Sequence, residues 1–397
     1  MIVHSGGNRR PGYLAAAGVF AVGMAGTTLP TPLYGLYRAQ LGFSELTVTL
    51  VFAVYAAGVI ASLLLAGDVS DEIGRRPVLL FALGLSSASA LCFLFEGGLP
   101  LLFVGRLLSG FSAGLFSGTA TATVMELAAP GHEARAGFAA TAANMGGLGC
   151  GPLLSGLLAE YAPWPLRLPF LAHLALVAVA CAVTWSLPET VENRKRRPEL
   201  GPRGLVVPPQ VRSVFAASAL AAFAGFALLG LFTAVTPAFL SQTLREGNLA
   251  VSGTIVFSVF LASTTGQSLM GRLGVRRALP AGCLVLVAGL VLVGASLAAE
   301  SLALLVVGAL VSGLGQGLSF RAAMAAVSGA APPEHRGGTI SALFVAAYIG
   351  ISLPVIGVGA LTLLVGLRDA GLIFTACVAV LTACAGVYVL RRPPAEN

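Results

Sequence analysis

The chain has 397 residues, 57% hydrophobic and 10% charged, with 50 glycines, a mean hydropathy of +0.91 and a formal net charge of +7. Soluble domains carry about 25% charged residues, so an ordinary globular protein is excluded. A bilayer core ~30 Å thick needs about 20 helical residues per crossing, so twelve crossings use roughly 240 residues and leave no room for a large soluble domain.

In chain order, apolar runs punctuated by charge, proline and glycine predict twelve spans. They fall near 13–36, 45–66, 77–95, 100–126, 136–159, 167–187, 212–240, 250–270, 278–298, 302–327, 338–362 and 369–390. Ser44 is placed to cap the second. Arg9-Arg10 before an apolar run is also the start of a secretory leader pattern. The run continues to Tyr37 with no A-x-A cleavage site, which predicts an uncleaved first span. Residues 190–211 are the one long polar connection and read as a linker between a bundle over 1–189 and a second over 212–397.

Of the 23 basic residues 22 are arginine, and their positions set an orientation. One face collects Arg9, Arg10, Arg75, Arg76, Arg135, Arg194, Lys195, Arg196, Arg197, Arg203, Arg212, Arg272, Arg276, Arg277, Arg336, Arg391 and Arg392. The other holds Arg38, Arg167, Arg245 and Arg368, while Arg106 and Arg321 fall inside spans. The positive-inside rule therefore places both termini in the cytoplasm of a multi-pass inner-membrane protein. It also explains the positive charge by topology, without a nucleic-acid partner. The six cysteines sit in apolar runs without a C-x-x-C spacing and the four histidines are scattered, so no metal or cofactor is expected.

A repeat underlies the pattern. Arg75-Arg76 returns as Arg276-Arg277 and Arg135 as Arg336, each 201 residues on, while Pro152 has a counterpart at Pro354. Landmarks at one offset, six spans apart, imply two six-helix halves of parallel topology.

The second loop reads Gly67-Asp68-Val69-Ser70-Asp71-Glu72-Ile73-Gly74-Arg75-Arg76-Pro77. Gly67 suits close helix approach, Asp71 suits the positive end of a neighbouring helix, and the arginines suit nearby carboxylates or anionic headgroups. At Gly67, Asp71, Gly74, Arg75 and Arg76 this segment resembles the signature loop of the major facilitator superfamily, with Glu72 in place of a basic residue. The resemblance implies a cytoplasmic gate that stabilises the outward-facing state through Asp71 and Arg75. The fourth span, Gly105-Arg106-Leu107-Leu108-Ser109-Gly110, is similar to the family's R-x-x-Q-G motif with Ser109 for glutamine. An arginine in a span costs on the order of 3 kcal/mol on insertion scales, so it faces protein or water, or snorkels to the interface. The resemblance implies that Arg106 takes part in proton coupling.

The fifth span carries Gly147-x-x-x-Gly151-Pro152-x-x-Ser155-Gly156, which resembles the G-x-x-x-G-P-x-x-G-G pattern of the antiporter branches, here the drug:proton antiporters. Small residues let helices touch and proline bends one, giving a seam that seals one end of a cavity. Pro188-Glu189-Thr190 and the loops at 130–135 and 332–336 also match the family, so the resemblance runs from about Leu29 to Arg391.

The implied fold is an all-α membrane protein of twelve transmembrane helices in two pseudo-symmetric bundles, with spans one, four, seven and ten lining the cavity. Candidate cavity residues are Thr28, Thr31, Ser112, Asn144, Thr236, Gln267, Gln316 and Tyr348. Taken alone, each suits a helix–helix hydrogen bond better than a ligand contact. No span carries a carboxylate near its middle. Coupling therefore falls to Asp71, Glu126 or His173, with Arg106 as modulator, and the pocket favours neutral, amphipathic or anionic solutes over strongly cationic ones. The expected protein is a monomeric secondary transporter, no enzyme, exporting small amphipathic or drug-like molecules in exchange for protons across the lipid bilayer. An uptake permease or facilitator for a sugar or organic acid, and more distantly a membrane-embedded enzyme, remain as alternatives.

Overall fold

A computed structural model of the chain describes residues 12–95, 97–192 and 205–391. The expectations for Arg9, Arg10, Arg194, Lys195, Arg196, Arg197, Arg203, Arg392 and most of the linker lie outside those residues. Among the described residues the structure is helical throughout its long elements. Ten runs are long and apolar enough to cross a membrane. They supply α1 (Gly12–Leu41), α2 (Glu45–Ala66), α3 (Arg75–Leu94), α4 (Leu99–Glu126), α6 (Leu168–Ser186), α7 (Pro209–Gln242), α8 (Leu249–Leu273), α9 (Val275–Ala299) and α10 (Leu302–Ala330). The last run, Arg336–Arg391, divides at Gly366, whose φ of 82° and ψ of 169° break the helix into α11 (336–365) and α12 (367–391). The remaining helix, α5 (Glu133–Tyr161), is rich in glycine and alanine instead of large aliphatic residues. Its small residues let it pack closely on α1 and α8.

Local chemistry sets the ends. The Ser44 side chain accepts from the Thr47 N–H to start α2, and Asn248 Oδ1 accepts from the N–H groups of Ala250 and Val251 at 2.9 and 3.1 Å to start α8. Gly74 (φ +110°) and Gly274 (φ +72°) turn the chain into α3 and α9, 200 residues apart, in a backbone region that side-chain-bearing residues avoid.

Helix pairing repeats after six elements. Helix α1 packs on α4 and α5, α2 on α4, and α3 on α4 and α6. The same relations join α7 to α10 and α11, α8 to α10, and α9 to α10 and α12. The two largest contacts that cross between the sets are α2 with α11 and α5 with α8, and they exchange under the same shift. Both cavity-facing lead helices are broken near their middles. In α1 the α-helix stops at Thr28, ahead of Pro30, and resumes after a 3-10 turn at Thr31–Leu33. In α7 a π-helical turn, Leu231–Val235, precedes Pro237. Proline removes a ladder hydrogen bond in each.

Candidate functional site: a central cavity, its outer seal and the cluster at its mouth

A cavity of about 560 Å³ lies between the two sets of helices. Its described lining comes from α1, α2, α4 and α5 and, six helices on, from α7, α8, α10 and α11. Spans one, four, seven and ten share the lining with neighbouring helices, which supply Asn144, Gln267 and Tyr348. Thr28 is the one lining residue from α1, whereas α5 supplies Gly137, Ala140, Thr141, Asn144, Met145 and Leu148.

Aromatic rings form much of the wall. Phe226 lies tilted 5.0 Å from Phe320 and edge-on 5.7 Å from Tyr348, and Phe320 edge-on 6.0 Å from Phe344, measured between ring centroids. Tyr348 meets Tyr55 edge-on at 6.3 Å, a contact that crosses from α11 to α2. Met125, Met145 and Met324 add adaptable thioethers.

Arg106 stands among these rings and is 2% exposed. Its guanidinium lies 4.6 Å from the centroid of Tyr55 and 5.3 Å from that of Phe52, and Nη1 donates to the Thr27 carbonyl at 2.5 Å. The break in α1 leaves that carbonyl at the helix end, where it needs a donor. The side chain thus turns into the protein instead of snorkelling to the interface. Its Nε has no hydrogen-bond partner, and the same holds for Asn144 Oδ1.

At one end the cavity is closed by backbone contact. A Cβ at Gly156 would strike the Leu249 carbonyl, and one at Gly253 the Pro152 carbonyl, so α5 and α8 touch main chain to main chain. Across the pseudo-symmetric interface Gly359 of α11 lies against Leu46 and Thr49 of α2. Polar bonds close the rim: the Leu249 N–H donates to Glu160 at 2.9 Å, Asn248 to the Tyr161 hydroxyl at 3.2 Å, and Gln242 to Glu45 at 2.5 Å, with Arg38 paired to Glu45. At the other end Gly118, Thr121, Met125 and Arg321 line the cavity and are exposed, so it opens there.

Beside that mouth lies a charged cluster. Arg75 donates from Nη2 to Glu126 Oε1 at 2.8 Å, from Nε to Oε2 at 3.3 Å and from Nη1 to Ser70 at 2.7 Å, and it pairs with Asp71 at 2.5 Å. Thr190 donates to Glu126 at 2.5 Å. The Glu189 carboxylate accepts the backbone N–H groups of Arg75 and Arg76 at 2.8 and 3.1 Å. Arg76 stacks 4.7 Å over Trp185.

Residues 15–283 and 246–397 match the family model of the Major Facilitator Superfamily. The chain belongs to the major facilitator superfamily. It is a multi-pass membrane protein with the long apolar helices of that family. The tetracycline resistance protein, class D, of Salmonella ordonez is 27% identical over 257 residues, which cover 56% of this chain and 62% of that protein. Multidrug resistance protein MdtL of Salmonella schwarzengrund is 41% identical over 85 residues, 21% of each chain. The chain thus spans less than two thirds of the length of these curated relatives. The crystal structure of the nucleoside transporter NupG superposes with a TM-score of 0.73 at 14% identity, covering 95% of this chain and 98% of the other, a likeness of fold.

Within this superfamily fold the sequence-based candidates separate. Thr28, Asn144, Gln267 and Tyr348 line the cavity. Thr31, Ser112, Thr236 and Gln316 do not; each is buried between helices. Ser112 donates to the Ala82 carbonyl, and Gln316 accepts from Ser263 at 2.6 Å through its Oε1 while its buried Nε2 makes no hydrogen bond. His173 also lies away from the cavity, its Nε2 2.9 Å from the Ser86 hydroxyl and packed on Gly26 of α1. Glu126 belongs to the Arg75 cluster, one residue beyond the lining Met125.

Gly67 is exposed at the end of α2, and Gly74 supplies the turn. Asp71 turns back on Arg75; the carboxylate that meets a positive helix end is Glu189, at the start of α3. In α5, Gly147 and Gly151 pack on α1 within one half, whereas Pro152 and Gly156 make the crossing contact with α8. The aromatic residues Phe52, Tyr55, Phe226, Phe320 and Phe344 were not among the candidates, nor was Gly359. Large rings inside otherwise small-residue spans are the signal that marks them.

Proposed function

We propose that the chain exports small amphipathic or drug-like molecules from the cytoplasm in exchange for protons, by alternating access. The observation that carries this reading is the aromatic and methionine-lined cavity, sealed by the glycine–proline contact of α5 with α8 and open at the arginine-rich end. Such linings accept varied apolar shapes with few fixed polar contacts. The names of the matching relatives, a tetracycline resistance protein and a multidrug resistance protein, support export.

In this mechanism residues 1–189 and 212–397 rock as two bodies about the cavity, joined by the 190–211 linker. The charge bias puts the termini and the open mouth in the cytoplasm of an inner-membrane monomer. Substrate enters beside Met125 and binds against Phe226, Phe320 and Tyr348 under Arg106. Opening to the outside requires the α5–α8 and α2–α11 contacts to part. Closing the mouth brings the Arg75 cluster toward the second half. Protonation of Glu126 frees Arg75 for new partners and links proton binding to this step, with Asp71 in the same cluster. His173 and Arg106 bias the packing of α1.

The lining holds no Asp or Glu among the described residues, which favours facilitated diffusion as a second reading. Purified protein in liposomes with an entrapped pH dye and an imposed proton gradient separates the two. Substrate-triggered proton movement, lost in Asp71→Asn, Glu126→Gln or His173→Ala, supports exchange. Labelled solute crossing without any proton signal supports the facilitator.

A further inference from the structure

We infer that the preferred substrates of this cavity are amphipathic anions, an apolar aromatic body carrying one carboxylate or similar group; this rests on the proposed transport site. Two of the described lining side chains are cationic, Arg106 and Arg321, and none is Asp or Glu. Arg106 is 2% exposed, has no carboxylate partner among the described residues, and leaves Nε without a hydrogen bond. Among the described residues its positive charge is held by the faces of Tyr55 and Phe52 and by the Thr27 carbonyl. Away from water an arginine lacking a counter-ion is costly, and its planar fork matches a carboxylate. An anion seated beneath the rings supplies the missing charge, and its apolar body occupies the wall formed by Phe226, Phe320 and Tyr348.

Arg321 gives the site a second level. Arg106 stands 7 residues past the start of α4 and Arg321 19 past the start of α10, helices related by the six-helix repeat. The difference of 12 residues is about 18 Å along the axis. Arg321 is exposed at the open mouth, where it draws anions toward the cavity, while Arg106 waits at the closed end. Such a path repels cationic amines at both levels. It also removes the need for an intramembrane carboxylate, because an anion leaving an inside-negative cell moves down the electrical potential.

The test uses the full-length protein in detergent and a matched set of pyrene probes: pyrenebutyrate, its primary amide and the corresponding amine. Equilibrium binding at pH 7 is expected to favour the carboxylate over the amide and the amine by roughly tenfold or more. Arg106→Gln is expected to abolish that preference and Arg106→Lys to retain part of it. Arg321→Gln is expected to slow association at low salt and flatten its salt dependence, with a smaller change in affinity. Equal binding of the three probes, tighter binding of the amine, or an unchanged ratio in a folded Arg106→Gln protein overturns the inference. The wild-type ratio needs no variant to fold. Binding is read without a gradient, so failed export or failed proton exchange overturns the transport reading and leaves this one standing.

Discussion

The Arg75 guanidinium and the Glu126 carboxylate join α3 to the end of α4 through two hydrogen bonds, at 2.8 and 3.3 Å. Thr190, just past α6, donates to the same carboxylate, so three chain segments of the first half converge on one acidic group. Glu126→Gln removes the charge and keeps the shape. The expected loss is about 1 kcal/mol, limited by the water that reaches Glu126. A thermal-melt comparison in detergent checks it. A melt equal to that of the wild type would mean that the cluster contributes nothing to this conformation.

The outer seal predicts a conformational switch. A valine at Gly156 drives methyl groups into the Leu249 carbonyl, which cannot retreat without parting α5 from α8. Spin labels at Ala39 and Ser241, both exposed at that end, should move apart in Gly156→Val. Gly359→Val, against Leu46 and Thr49 on the other side of the interface, should produce the same displacement.

The aromatic wall predicts broad loss of binding. Phe320 touches both Phe226 and Phe344, so Phe320→Ala removes the middle ring of the set. Affinity for chemically unlike apolar ligands should fall together, by about three- to tenfold on the scale of aromatic pair energies. Gln267→Ala, which removes one polar lining group, should change selectivity among ligands instead. Fluorescence titration of a ligand panel distinguishes a uniform loss from a selective one.

Asn144 predicts a gain in stability at the expense of recognition. Its Oδ1 is buried without a partner beside the cavity, a condition that costs on the order of 1 kcal/mol or more. Asn144→Leu should raise the melting temperature of the ligand-free protein and weaken binding of ligands that offer a hydrogen-bond donor. An unchanged melt would show that water already satisfies the group.

The arginine asymmetry predicts labelling from opposite sides. In a cysteine-free background, a cysteine at Ala162 or Gly247 should react with a membrane-impermeant maleimide applied to intact cells. One at Gly131 or Gly337 should react only after permeabilisation. The reverse pattern would invert the proposed direction of transport.

Much of the architecture was legible in the sequence because it follows from solvent and period alone. Apolar runs of sufficient length must be helical in a bilayer, and repeats of arginine and proline expose the duplication without reference to contacts. The gate loop and the glycine–proline helix were legible for a related reason: a glycine at Gly74 with φ +110° and backbone contact at Gly156 tolerate few other residues. The choice of partners was not. Whether Gln316 faces the cavity or Ser263, and whether His173 faces the cavity or Ser86, depends on helix rotation, which a chain polar at few positions leaves open. Sequence determined that this protein spans a membrane as two related sets of helices. Tertiary structure alone decided that Arg106 turns inward onto Tyr55 and the Thr27 carbonyl, because the broken end of α1 presents an acceptor at that depth.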